Sequence, residues 1–556
     1  MMHLRLWILL FSVIIALSLS GCSEEEQKTT PTPPPTTPIP TQSPTTPVKT
    51  LKLVEISSSK ERLYEHIIPE HLLPPKHTWT LIKRDERSDM YYPSFVPREP
   101  DVGFKINVSP NFGGMLATPV IFDNLILLSD MKYLYAYNRD NGLLLWKWRY
   151  EKPENADIKA YGVGSNIYTA IFKTYSGGRY DMIMLALDSA GNRVWKSKIT
   201  SSKANFPTSN LLVAEGRIFI GTVNGMLYSF SEGGNLAWER ELGGIVRGLA
   251  YGDGLVFANS EGVSKIFAID ATSGDIVWEK EFSGEVSTPL YSEGRILFIA
   301  GSKLTCVSSD GKLLWQKAVG AGSDSNTNSF ISAKKNRIYY ARTIGDKPLS
   351  LYALNLDGKK VSEFKLEDGE YPFIPITTED VVILPVTKYN EYSKIYLLWR
   401  GQNKIYELRF KSEETFAPKI AVDGGEIFVI FSINRTDGVL YKLHDKRKPV
   451  IKDVKVELKN ESIIITSTIY DSESSIFKAL IFYSINNSEW KIDEMVLGRR
   501  YIMEPIGGYG FREEEYTHTI KFEMDLNSTI EFFIVGIDKV GNYITSEIYS
   551  YKVVED

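Results

Sequence analysis

The sequence predicts an all-β chain, a β-propeller of eight blades (or seven) followed by an antiparallel β-sandwich. Three observations carry this. Short alternating strands divided by Asp/Gly turns recur through the middle of the chain, five of the hairpins end in tryptophan, and no segment sustains the 3.6-residue apolar period of a helix. With 556 residues the chain can hold two or three domains, each with its own core. Its 43% hydrophobic and 12% aromatic content, including 31 Tyr, belongs to folded, strand-rich protein rather than to disorder.

The amino terminus is an address. One basic residue in Met1 to Arg5 precedes an apolar run from Leu6 to Leu19, which is shorter than the roughly 20 residues of a spanning helix. Leu19-Ser20-Gly21-Cys22 follows, and this order resembles a lipoprotein signal. The resemblance implies a signal peptide over 1–21 and a lipid on Cys22 as the first mature residue. The chain is then expected at the cell surface, anchored to the outer face of the cytoplasmic membrane. Residues 22–50 are rich in Thr and Pro and cannot build a core; they predict an extended, semi-rigid tether. Residues 51–101 contain many prolines and are expected to be irregular chain on the outside or rim of the ring.

The repeats occupy 102–446. The clearest copy runs from Lys265 to Trp278: a strand, an Asp/Thr/Ser/Gly turn, a second strand, then the indole. Related copies end at Trp146, Trp195, Trp238 and Trp315; a sixth, Ala353 to Phe364, has no tryptophan, and Tyr396 to Tyr406 and Phe416 to His444 are degenerate. Another strand pair precedes each hairpin, which gives four strands in about 40 residues, the period of a propeller blade. Val102 to Val108 is available as the strand that closes the ring; seven blades result if the degenerate seventh copy is an insertion.

A motif that starts on a small residue, passes through Asp and Gly and ends in Trp resembles the pyrroloquinoline-quinone-type (PQQ-like) propeller repeat. That resemblance implies that Trp146, Trp195, Trp238, Trp278 and Trp315 dock on the neighbouring blade's motif, with the small first residue making room. Cys306 stands at the small position and reads as buried packing. Quinoprotein dehydrogenases of this family carry an adjacent cysteine pair over the cofactor. This chain has two cysteines, Cys22 and Cys306, far apart in sequence. No cofactor is therefore expected, and a quinone- or metal-dependent oxidoreductase is the rival reading from the enzyme class.

From 447 to 556 the spacing changes to six or seven short strands, as in an antiparallel sandwich. Phe532 to Asp538, Gly541-Asn542, Asp471 and the Tyr483 to Trp490 segment resemble immunoglobulin/fibronectin-like modules of bacterial and archaeal surface proteins.

The chemistry that the sequence announces is sparse. A net charge of −5 gives no case for nucleic acid. His66, His71 and His77 are interrupted by prolines, His3, His444 and His518 are isolated, and no metal site is expected from them. Asp140, Asp188, Asp270, Asp310 and Asp357 fall at hairpin turns, where Asp fits the geometry. Asn107, Asn434, Asn460, Asn486 and Asn527 head sequons open to glycosylation. The expectation is a non-enzymatic, lipid-anchored binding or scaffold protein with a surface protein or glycan as partner. The alternative within the binding class is an envelope-protein assembly factor. There the resemblance is to the lipoprotein propeller of the bacterial outer-membrane barrel assembly machine, which lacks the sandwich and has a shorter stalk.

Overall fold

In each repeat the middle strands are continuous apolar runs, as in Leu125–Ser129 (LILLS), where every residue is buried. Such runs need cover on both faces, and only stacking sheet upon sheet supplies it. The last strand of each unit alternates instead, exposing its outer positions, as Leu144–Arg149 and Ile276–Glu281 do.

A computed structural model describes residues 51–59, 70–73, 96–108, 118–318, 331–334, 336–342, 349–401, 403–411, 416–433, 437–459, 462–471, 476–502, 512–521 and 525–555. The chain divides into two units, 1–50 with Asp556, and 51–555. The first lies outside the described residues, and with it the signal, Cys22 and the tether.

Among the described residues, eight sheets of four antiparallel strands lie between 101 and 444; the seventh (370–411) has its first strand split in two. The first strands pack side by side: Val120–Phe122 beside Ala156–Val163, then on through Leu212–Ala214, Ile245–Gly252, Leu290–Ser292, Ile331–Lys334 and Ile376–Thr377. Lys419–Asp423 of the eighth sheet lies against Val120–Phe122, so the row returns to its start as a β-propeller. The eighth sheet holds three strands of its own and takes β2 (Asp101–Val108) as its fourth, with Asn107 opposite Val439. Chain from before the first repeat thus completes the last one.

Two further antiparallel sheets follow. One holds Val450–Lys459, Ser462–Tyr470, Arg512–Lys521 and Val496–Ile502; the other is built on Ile476–Ile485, Thr529–Asp538 and Ile548–Glu555. Ile463, Ile465 and Ile469 from the first sheet share one core with Ile481, Phe532 and Ile534 from the second.

The edge of that second sheet departs from expectation. Residues 51–59, expected as irregular chain near the ring, form β1 (Leu51–Ser59), which pairs antiparallel with Ile548–Glu555 from Leu51↔Glu555 to Ser59↔Ile548. Leu53 packs against the shared core. The propeller is therefore inserted between the first strand of this two-sheet body and the rest of it.

Candidate functional site

The joints between sheets follow a register. Each of these five repeats has a bulge near the start of its last strand, and the tryptophan just beyond it faces a small residue: Ala136↔Trp146, Ala186↔Trp195, Ser229↔Trp238, Ala268↔Trp278 and Cys306↔Trp315. The small residue is thus the indole's own cross-strand partner. The seat on the neighbour is the turn glycine. Gly191, Gly234, Gly274, Gly311 and Gly358 all have positive φ, and a Cβ on any of them would lie 2.6 to 3.1 Å from the indole of the preceding sheet. Each indole Nε1–H also donates to a carbonyl of that turn, from Trp146 to Ser189 O (2.9 Å) through Trp315 to Leu356 O (2.8 Å). At the closing joint Phe104 of β2 takes the indole's place against Gly142.

Asx-type capping holds these turns. Asp188 and Asp270 accept two turn N–H groups each, which holds both carboxyls below the usual range. Asp140, Asp310 and Asp357 sit later in their turns, and Asn138, Ser308 and Asn355 do the capping there.

Buried charges are used in pairs. At the closure Arg139 bonds Asp423 and Glu426 (2.7 Å), Lys442 meets Glu426 at 2.6 Å, and Lys442 donates to Arg139 O. Inside the seventh sheet fully buried Lys394 lies 2.5 Å from Glu370, which also accepts from Tyr392 (2.9 Å) and Tyr396 (3.0 Å). Burial, reinforced by Glu370, raises both phenols. With its oxygens engaged by Lys394 and two phenols, Glu370 is a strut rather than a free base.

Three carboxylates that the sequence reading left unassembled come together where the ring meets the two sheets that follow it. Asp445 follows the last ring strand, Asp471 follows Ser462–Tyr470, and Asp538 ends Thr529–Asp538. All are buried, and one oxygen from each lies within 4.8 Å of the others. Burial, then the charge of Asp471, pushes the Asp538 carboxyl up to about 7. Asn542 Nδ2 bridges Asp538 Oδ2 (2.9 Å) and Asp445 O (3.2 Å). Such oxygens are the donor type of a hard divalent cation. The sequence signal was faint: three aspartates, each just past or at the end of a strand, scattered over almost 100 residues.

An open groove of about 960 Å³ lies along the fourth sheet (245–281), with Glu241 at the end of the third (212–241) on its rim. Glu241, Glu279 and Glu281 line it over Phe267 and Phe282, and Lys265 pairs with Glu279 at 2.8 Å.

Residues 109–262 and 231–372 match the profile of a repeat family described as outer membrane protein assembly factor BamB. Over residues 109–372 the ring carries repeats of the PQQ type. BamB from Moraxella catarrhalis aligns with 15% identity and a TM-score of 0.44, over 63% of this chain and 98% of its own. Sqt1 from Saccharomyces cerevisiae aligns with 9% identity and a TM-score of 0.46, over 62% and 100%. The Pan2 WD40 domain from Neurospora crassa aligns with 9% identity and a TM-score of 0.37, over 62% and 98%. No curated protein matches the sequence.

Within these PQQ-type repeats Cys306 is fully buried, and burial pushes its thiol up to about 12, so it is inert. Asn107, Asn486 and Asn527 are exposed, whereas Asn434 and Asn460 lie outside the described residues, as do His3, His66 and His77. His71 sits in a single 3-10 turn, and His444 and His518 belong to different sheets. Among the described residues no helix is long and apolar enough to cross a membrane.

Proposed function

We propose that the protein is a non-enzymatic binding or scaffold protein, exported and held at the outer face of the cytoplasmic membrane by a lipid on Cys22. The propeller presents grooves and turn loops to a protein or glycan partner. The observation that carries this reading is the groove along the fourth sheet. It is open and mainly polar, and its three glutamates outnumber the one lysine that lines it. The engagement of buried Lys394, Glu370, Arg139 and Asp423 in structural pairs supports a scaffold over a catalyst. The order of charge, apolar run and Leu-Ser-Gly-Cys supports the anchor.

A second reading, an assembly factor for envelope proteins, is favoured by the family description that covers 109–372. Both predict a macromolecular partner. Cross-linking in intact cells followed by capture from solubilised membranes should retain one, and Glu279→Lys with Glu281→Lys should lose it. An unfolded envelope protein in the captured fraction supports the assembly role, and a folded protein or glycan supports the scaffold. Capture of nothing by the wild type, or equal capture by the charge-reversed variant, refutes binding at this groove. Cys22→Ser should release the protein from the membrane, and unchanged retention refutes the lipid anchor.

A further inference from the structure

The joint between the sixth sheet (331–365) and the seventh departs from the others. The register places Ser362, not the Phe364 that ends the sixth copy in sequence, opposite Ala353 and hence at the tryptophan position. The next turn, in the seventh sheet, still provides a glycine in the left-handed region, Gly401, and the ring of Tyr339 from the sixth sheet covers it, 2.4 Å from where a Cβ would lie. Beside that ring, where Ser362 stands in place of an indole, a pocket of about 360 Å³ opens. That volume is at the lower end of the range of small-molecule sites, ~300–1,000 Å³.

We propose that this pocket binds a small aromatic carboxylate whose ring carries an N–H or O–H donor. Val361, Val381 and Tyr339 supply walls for a flat ring beside the Gly401 seat that Tyr339 itself fills. Arg337 and Arg400 line the same pocket, and neither has an ion-pair partner among the described residues, so a carboxylate finds two guanidiniums. Lys334, also in the lining, is occupied by Glu379 at 3.0 Å. Asp380 supplies the third element. Its Oδ2 lies 3.7 Å from Arg98, while its Oδ1 is buried with no hydrogen-bond partner. A buried acceptor left without a donor destabilises the fold, and a donor on the ligand ring that reaches it would satisfy it. The inference is independent of membrane anchorage and of the groove along the fourth sheet.

The test is calorimetric titration of the full chain with indole-3-acetate, which has both ring N–H and carboxylate. Indole and acetate are the separate halves, and a peptide ending in a free tryptophan carboxylate is the macromolecular version of the same chemistry. Indole-3-acetate should bind at sub-millimolar concentration, at least tenfold more tightly than either half. Arg337→Gln and Arg400→Gln should each weaken it by about tenfold, and Ser362→Trp should abolish binding and raise Tm. Stronger binding of the peptide than of the free acid names a chain terminus as the natural source, and the reverse names a metabolite. The Arg variants keep the test alive if Ser362→Trp fails to fold. No heat up to millimolar ligand, equal affinity for acetate alone, or full affinity in the Arg337→Gln/Arg400→Gln double variant overturns the proposal.

Discussion

The junction of the ring and the two sheets that follow it should be the part of the protein most sensitive to pH between about 4 and 7. Asp538 is fully buried, and its carboxyl is raised from 3.8 to about 7. A carboxyl with a raised folded pKa binds its proton more tightly folded than unfolded. Its contribution is therefore complete below pH 3.8 and is lost as pH rises through 7. The shift of about 3 units, at about 1.4 kcal/mol each, amounts to about 4 kcal/mol of local stability. Asp538→Asn removes the titration while keeping an acceptor for the N–H groups of Val540 and Asn542. The price is the Asn542 Nδ2 contact at Oδ2, about 1 kcal/mol and independent of pH above 4. Amide exchange of peptides from Thr529–Asp538, corrected for intrinsic rate, reads the effect locally. Wild-type protection should fall by about three orders of magnitude from pH 4 to pH 8, and protection of the variant by far less. The experiment belongs in EDTA, because a divalent cation shared by Asp445, Asp471 and Asp538 would keep all three ionised and flatten the slope. Equal slopes in wild type and variant would refute the reasoning.

Trp238→Ala removes a half-buried indole and its bond to Ala271 O, and should cost about 2–3 kcal/mol, less than a fully buried tryptophan. Gly274→Ala, with φ of +78° and the same indole 2.6 Å from the new Cβ, should lower Tm comparably; a neutral result would mean that the seat is not the glycine. Arg139→Ala takes the guanidinium from the nearly inaccessible Asp423 and should destabilise the closure by up to about 3 kcal/mol, read as faster exchange confined at first to β2 and Gly438–His444. Deleting 51–59 leaves the edge of Ile548–Glu555 unpaired. The truncated protein should self-associate in sedimentation while the propeller strands keep their protection.

The legible part of the fold was the part written in local pattern. Lys265 to Trp278 carries strand, turn and indole within 14 residues, so the hairpin and its partner on the next sheet could both be inferred from one stretch of chain. Even there the reading assigned the fit to the wrong small residue. Position one of the motif looked like clearance for a neighbour, whereas Ala268 faces its own Trp278 and the clearance on the next sheet is at Gly311. Register carries that distinction, and a single bulge shifts it by one residue. In the sixth copy the aromatic Phe364 stands two residues beyond Ser362, and only the pairing with Ala353 shows that Ser362 holds the tryptophan position.

The rest was illegible because it depends on residues brought together from far apart. Arg139 and Asp423 are 284 positions apart, and each alone is an ordinary surface residue type. The strand β1 is the strongest case. Its sequence, LKLVEISSS, alternates only from Leu51 to Leu53 before Val54 and Ile56 break the pattern, and the prolines that follow point to irregular chain. What makes it a strand is the open edge of Ile548–Glu555, almost 500 residues away.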